Sequence, residues 1–279
     1  MDPGLNAVLQ EASALAQRAG AVLLDWLARL DRGGMRRKSS GRDLVTAADL
    51  ASEECILQGL SRAFPGDGVL AEESGARGGG RRVWCVDPLD GTTNFVHRLP
   101  CFAVSLARLS DGVPDVAVVH APLLAETFTA TRGGGAFCNR ARLRVSETTA
   151  LGDALLATGF PYRRQFLRDN NLENFNRLFL HVRDLRRMGS AALDLAYTAA
   201  GRFDAFWELH LQPYDVAAGG LMVTEAGGVA DTLVPGGDWI HGRNILAGPA
   251  PLLLPIREQL LRGRPVDYPP LTEWDAPRP

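Results

Sequence analysis

The first hydrophobic pattern along the chain is helical. Leu5, Val8, Leu9, Ala12, Leu15, Ala16, Ala19, Leu23, Trp26, Leu27 and Leu30 recur three and four residues apart, which predicts an amphipathic helix over residues 5–30. A polar, glycine-containing loop is expected at 36–43, and a second helix from Thr46 to about Phe64, where Pro65-Gly66 stops it. The period then shortens. Residues 69–71 and 83–86 read as strands, and 102–109, 116–120 and 127–131 as a meander whose first turn is Asp111-Gly112. Gly133-Gly134-Gly135 reads as a loop. Beyond Ser146 the pattern alternates: strand 154–158, helices 172–180 and 190–200, strand 203–208, helix 213–226 between Pro213 and Gly227-Gly228, and a closing helix 252–261. The proline-rich tail 265–279 is expected to be extended and partly mobile. Strands segregated from helices imply a layered α+β architecture and not a doubly wound parallel sheet.

Composition narrows the class without naming it. A chain of 279 residues is compatible with one large domain or two fused lobes. It buries roughly 75% of its unfolded surface and needs no disulfide or structural metal for a core. A net charge of −2 gives no general attraction to nucleic acid or acidic membranes. Cys55, Cys85, Cys101 and Cys138 form no CxxC pair and read as free thiols of a reducing compartment. No segment approaches the roughly 18 apolar residues of a membrane span, and Met1-Asp2-Pro3-Gly4 opens no leader-like pattern, so the expectation is a cytoplasmic protein. Arg163-Arg164, Arg168, Arg183 and Arg186-Arg187 make a locally basic stretch, read as a solvated face or a dimer interface, with nucleic-acid binding the weaker alternative.

The chemistry concentrates in Trp84-Cys85-Val86-Asp87-Pro88-Leu89-Asp90-Gly91-Thr92-Thr93-Asn94. An apolar strand ends at one carboxylate, proline fixes a turn, a second carboxylate follows, and Gly91-Thr92-Thr93 begins a new element. Two acids and the Leu89 carbonyl are oxygen ligands of the kind Mg²⁺ takes. Backbone N–H groups at Gly91 and Thr92, left open at a helix start, suit a phosphate. A plain Asp-Gly turn would read the same way locally. Glu72, after the preceding strand, and Asp215, in the first turn of a later helix, add two more acids. Singly, these read as a solvated loop charge and a helix N-terminal acid. Thr46-x-x-Asp49 likewise fits a helix capping box.

These residues resemble the signatures of the inositol monophosphatase family. Asp87-Pro88-Leu89-Asp90-Gly91-Thr92-Thr93-Asn94-Phe95-Val96-His97 is similar to the first, and Tyr214-Asp215-Val216-Ala217-Ala218-Gly219 with Glu225-Ala226-Gly227-Gly228 to the second. Asp43 to Asp49, Ala71-Glu72-Glu73-Ser74 and Gly189-Ser190-Ala191-Ala192 support them, and the likeness runs from about residue 38 to 248.

The resemblance implies a layered α-β-α-β-α sugar phosphatase-like sandwich, one domain over 1–279 with lobes of about 1–145 and 146–264. It implies hydrolysis of a small phosphorylated polyol, myo-inositol monophosphate first, with two to three Mg²⁺ per site and Mn²⁺ as a substitute. Glu72, Asp87 and the Leu89 carbonyl would hold one ion. Asp87, Asp90 and Asp215 would hold another, with a weaker third near Glu72. Thr92 paired with Asp49 would deprotonate the attacking water, and Gly91 and Thr92 would cradle the phosphate. Ser190, Ala192 and Glu208 would meet the substrate, with Glu208 accepting from a hydroxyl. Lithium sensitivity and a homodimer are further family expectations.

Two metals about 3.5–4 Å apart can clamp the attacking and leaving oxygens of a displacement at phosphorus, a reaction that asks mainly for positioning and charge neutralisation. Tyr214 stands where the family usually has tryptophan, and His210-Leu211-Gln212-Pro213 varies the loop beside Glu208, His210 reading as a rim residue. Sister phosphatases acting on fructose 1,6-bisphosphate, histidinol phosphate or phosphoadenosine phosphate are the alternatives. A non-catalytic or moonlighting protein on the same fold is the second.

Overall fold

The computed structural model describes residues 3–29, 36–37, 44–45 and 47–264. Thr46, most of the expected 36–43 loop and the 265–279 tail lie outside the described residues. The N-terminal half contains α1 (Pro3–Arg29), β1 (Arg36–Arg37), β2 (Leu44–Val45), α2 (Ala47–Ala63), β3 (Gly68–Ala71), β4 (Gly75–Arg77), β5 (Arg82–Asp90), α3 (Thr92–Val96), β6 (Ala103–Ser110), β7 (Val113–Ala121), β8 (Glu126–Thr131), β9 (Gly135–Cys138) and β10 (Ala141–Arg142). The C-terminal half adds β11 (Leu155–Thr158), α4 (Leu172–Phe179), β12 (Asp184–Arg186), α5 (Ala191–Ala199), β13 (Ala205–Leu209), α6 (Pro213–Glu225), β14 (Val229–Asp231), β15 (Asn244–Gly248) and α7 (Ala250–Leu261).

Eight strands form one sheet in the order β10-β9-β8-β7-β6-β5-β3-β4, antiparallel except where β3 runs parallel to β5. Five form a second, β12-β11-β13-β15-β14, with β11 parallel to both neighbours. Side chains alternate along each strand, and the alternation sorts the layers. Trp84, Val86, Val104, Leu106, Val116 and Val118 pack with Leu15, Leu23, Ile56 and Leu60 of α1 and α2. Their neighbours Cys85, Ala103, Ala107, Ala117 and Val119 pack the other way, onto the alanine-rich α5 and α6. The same two helices cover Phe206, Ile245 and Ala247 of the second sheet. Leu156, Trp207 and Leu246 face outward to Leu178 of α4 and Leu252 and Ile256 of α7. The result is the α-β-α-β-α sandwich expected of the chain.

Several details depart from the sequence reading. Arg36–Arg37 pairs with Leu44–Val45 where a loop was expected. Gly135 begins β9 instead of belonging to the glycine loop. Strands 102–109 and 203–208 begin later, at Ala103 and Ala205. The short strands β4, β10, β12, β14 and β15 also have no counterpart in that reading. All four cysteines are free thiols, as expected.

Candidate active site

The acidic segment is built by a fault in a strand. Ala71 pairs with Val86 on β3 and β5, and the Glu72 N–H continues that ladder to the Val86 carbonyl at 3.0 Å. Against β6, the register of β5 shifts between Asp87, opposite Ser105, and Asp90, opposite Ala103. The extra residue bulges at Pro88-Leu89, and such bulges re-aim side chains at sites. The Leu89 N–H turns back onto Asp87 Oδ1 at 2.9 Å and fixes the bulge.

Gly91 then caps α3 at φ 91°. A Cβ there would stand 2.7 Å from the Cys101 carbonyl oxygen and 3.3 Å from that of Gly189, so the position excludes larger residues twice over. Thr92 Oγ1 lies 3.2 Å from both Asp49 Oδ1 and the Leu89 carbonyl oxygen. Asn94 Nδ2 donates to the Cys101 and Met188 carbonyls at 2.6 and 2.8 Å, tying the start of α3 to the second half of the chain.

Asp90 crosses the same divide. Its Oδ2 accepts from Ser190 Oγ at 2.6 Å and from the Ala192 N–H at 2.7 Å. Asp215, three residues into α6, accepts the Gln212 N–H at 2.7 Å, so it is also a helix-capping acid. Ser190 caps α5 while serving Asp90.

These residues line one pocket of about 320 Å³. Glu72, Asp87, Leu89, Asp90, Gly91, Thr92, Ser190, Glu208 and Asp215 are all in its wall. Asp49 stands behind Thr92 and is buried. Ala192 is fully buried and contributes its backbone N–H to Asp90; Ala191 lines the pocket in its place. Phe160, Tyr162 and Phe166 supply an aromatic side. The basic stretch divides. Arg163 and Arg187 line the pocket, whereas Arg183 pairs with Asp153 and Arg186 with Asp184 on the surface. His210 sits on the rim with Nε2 2.7 Å from the Asp169 carbonyl oxygen.

Charge is expensive here. Burial, then the charges of Glu72, Asp90 and Asp215, push the Asp87 carboxyl well above the usual carboxylate range. Burial raises Asp90 to about 6, with the Ser190 and Ala192 hydrogen bonds and Arg187 opposing. Burial also raises Asp215, helped by Asp90 and Glu208 and opposed by the Gln212 N–H. Glu208 is pushed to about 8, burial leading and Arg187 opposing. Tyr214 is a half-buried phenol pushed upward by burial and then by Asp215 and Glu72.

Such a set of oxygen donors with unmet negative charge suits a hard divalent cation. Among the described residues no three His, Cys, Asp or Glu side chains are gathered closely enough to hold a metal by themselves. Mg²⁺ does not require an all-protein cage, because it keeps several waters and shares its coordination with a substrate phosphate. The donor set therefore accepts Mg²⁺ on chemical grounds.

Sequence reasoning missed Ser52 and Glu53. Both are buried on the face of α2 that carries Asp49. The signal was present as polar residues three and four positions after Asp49, in register with Ile56 and Leu60.

The chain belongs to the inositol monophosphatase family, whose model matches residues 5–262. It is 42% identical to Nus factor SuhB of Pseudomonas aeruginosa over 89% of this chain and 92% of that one. It is 41% identical to inositol-1-monophosphatase of Mesorhizobium japonicum, over 87% and 92% of the two chains. The solved inositol monophosphatase of Anabaena (Nostoc) sp. PCC 7120 superposes with a TM-score of 0.85 at 39% identity, covering 94% of this chain and 98% of that one. Phosphatase chemistry on phosphorylated substrates, generally with Mg²⁺, is the family-level property. Among the described residues no helix is long and apolar enough to cross a membrane.

Proposed function

We propose that the protein hydrolyses a small phosphorylated polyol, myo-inositol monophosphate first, in a reaction that depends on divalent cations. The observation that carries the reading is the convergence of Glu72, Asp87, Asp90, Asp215 and the Leu89 carbonyl on one pocket beside the open start of α3. Glu72, Asp87 and the Leu89 carbonyl would hold one Mg²⁺, Asp87, Asp90 and Asp215 a second, and the Glu72 side a weaker third. When bound, these ions neutralise phosphate charge and make water more acidic.

The chain's own groups do the rest. Backbone N–H groups at Gly91 and Thr92 bind phosphate oxygens, since no intrahelical acceptor can reach the first donors of a helix. Thr92 Oγ1 takes a proton from water as its own passes to Asp49 Oδ1, of its two 3.2 Å neighbours the one that can accept it. Glu208 meets a ring hydroxyl, and Ser190 steadies Asp90. Phe160, Tyr162 and Phe166 give the substrate an aromatic wall, with Tyr162 and Phe166 still partly open to solvent. The same proposal takes the chain as one domain of two lobes, a cytoplasmic homodimer, with Mn²⁺ able to replace Mg²⁺ and Li⁺ inhibitory.

The test is phosphate release from myo-inositol 1-phosphate, fructose 1,6-bisphosphate, histidinol phosphate, phosphoadenosine phosphate and glycerol 2-phosphate. Inositol phosphate in the lead supports the substrate; another leader changes the substrate and keeps the chemistry. The name Nus factor SuhB on the Pseudomonas relative favours a second reading, a non-catalytic or moonlighting protein on this fold. Release from no substrate would support it.

A further inference from the structure

The helix α2 buries a face that ought to be apolar. Asp49, Ser52, Glu53, Ile56 and Leu60 lie on one side at helical spacing, and the first three are 1%, 0% and 4% exposed. Buried polar groups cost free energy unless each is hydrogen-bonded. Each of these is, and each reaches a different part of the site. Asp49 meets Thr92 Oγ1 at 3.2 Å. Ser52 Oγ donates to the Pro88 carbonyl at 2.8 Å, in the middle of the bulge that separates Asp87 from Asp90. Glu53 Oε2 accepts the Glu73 N–H at 2.9 Å, immediately beyond Glu72.

Glu72 is thus fixed on both sides: its own N–H is held by the Val86 carbonyl and the next N–H by Glu53. An apolar face of the same shape would leave the Pro88 carbonyl and the Glu73 N–H without these partners, so what Ser52 and Glu53 add lies at the bulge and at the Glu72 corner.

We infer that Ser52 and Glu53 are positioning residues for the metal-binding oxygens. Through one helix they hold the Asp87–Leu89 bulge and the Glu72 corner in a fixed relation, which keeps the relative placement of Glu72, Asp87 and the Leu89 carbonyl. The inference rests on the metal-dependent reading above. Outer partners of metal ligands typically contribute about 10–100-fold to affinity.

The experiment titrates full-length protein with Mn²⁺ in the absence of substrate, following free Mn²⁺ by electron paramagnetic resonance, for wild type, Ser52→Ala, Glu53→Ala and Glu53→Gln. Thermal unfolding in EDTA reports the fold separately. Phosphate release against Mg²⁺ concentration separates half-saturating metal from kcat. Glu53→Ala is expected to weaken Mn²⁺ binding by about 10–100-fold and to raise the half-saturating Mg²⁺ more than it lowers kcat. Glu53→Gln retains an amide oxygen for the Glu73 N–H and recovers most of that loss.

Should Glu53→Ala show no unfolding transition, Ser52→Ala decides, because it removes only one hydroxyl. Wild-type Mn²⁺ affinity in the folded alanine variants overturns the inference. So does Glu53→Gln binding as weakly as Glu53→Ala, which would make the carboxylate itself a ligand. Wild-type protein that binds no Mn²⁺ overturns the metal-dependent reading and this inference together.

Discussion

Glu208→Gln separates the stability of this fold from its function. Glu208 lies on β13, 8% exposed, and a Cβ at Gly159 would collide with its carboxylate, so the group is tightly enclosed. Burial, with a contribution from Asp90, pushes its carboxyl from 4.5 to about 8. For an acid with a raised folded pKa, the unfolded chain ionises first. The folded state keeps its proton until about pH 8, so the penalty on folding is absent below pH 4.5, grows between 4.5 and 8, and stays constant above.

Each pH unit inside that window contributes about 1.4 kcal/mol, giving about 3 kcal/mol at pH 7 as an upper figure. The amide removes the titration but brings an N–H₂ group with no partner in the pocket, which costs about 1–3 kcal/mol. The net expectation for metal-free protein at pH 7 is a stabilisation of up to about 2 kcal/mol, growing toward pH 8, with Tm raised by roughly 2–4 °C for each kcal/mol. Below pH 4.5 the gain vanishes or reverses. Turnover of inositol phosphate should fall as stability rises, because the enclosed Glu208 carboxyl group is the one placed to meet a ring hydroxyl. Thermal unfolding in EDTA from pH 4.5 to 9, alongside kcat/KM, reads both effects. A Tm difference that does not grow with pH, or a variant less stable than wild type at pH 8, would refute the reasoning.

Asp90→Asn keeps an acceptor for Ser190 and Ala192 but loses the charge; kcat should fall beyond the ~10–100-fold that an outer partner costs, with Tm in EDTA unchanged or higher. Gly91→Ala places a Cβ against the Cys101 carbonyl at φ 91° and should lower stability by about 1–3 kcal/mol together with activity, both read on one purified sample. Glu225→Ala deprives the Gly133 and Gly135 N–H groups of their acceptor, at 2.7 and 2.8 Å; denaturant unfolding should show a loss of about 1–3 kcal/mol while kcat at saturating Mg²⁺ stays near wild type.

Much of the frame was legible because its signals are local. The α1 stripe, the β6–β8 meander and the proline and glycine around α6 each state an element through neighbours in sequence. The acids were legible for the same reason, gathered into short signatures with Asp215 alone far downstream. What escaped depends on contacts distant in sequence. The strand β12 is three residues inside a basic stretch, and only pairing with β11 makes it a strand. Ala192 matters through its N–H, which no side-chain pattern reveals. Arg187 differs from Arg186 only in where the chain carries it: one lines the pocket, the other pairs with Asp184. Ser52 and Glu53 share the register of Ile56 and Leu60, but their polar side chains mask that face until the folded helix buries them.

The central claim is that the converging acids work only with a divalent cation. Its most direct test is phosphate release from myo-inositol 1-phosphate by EDTA-treated protein as Mg²⁺ is added back. The account predicts no release in EDTA and full, saturable recovery with Mg²⁺. Release that persists in EDTA would contradict it.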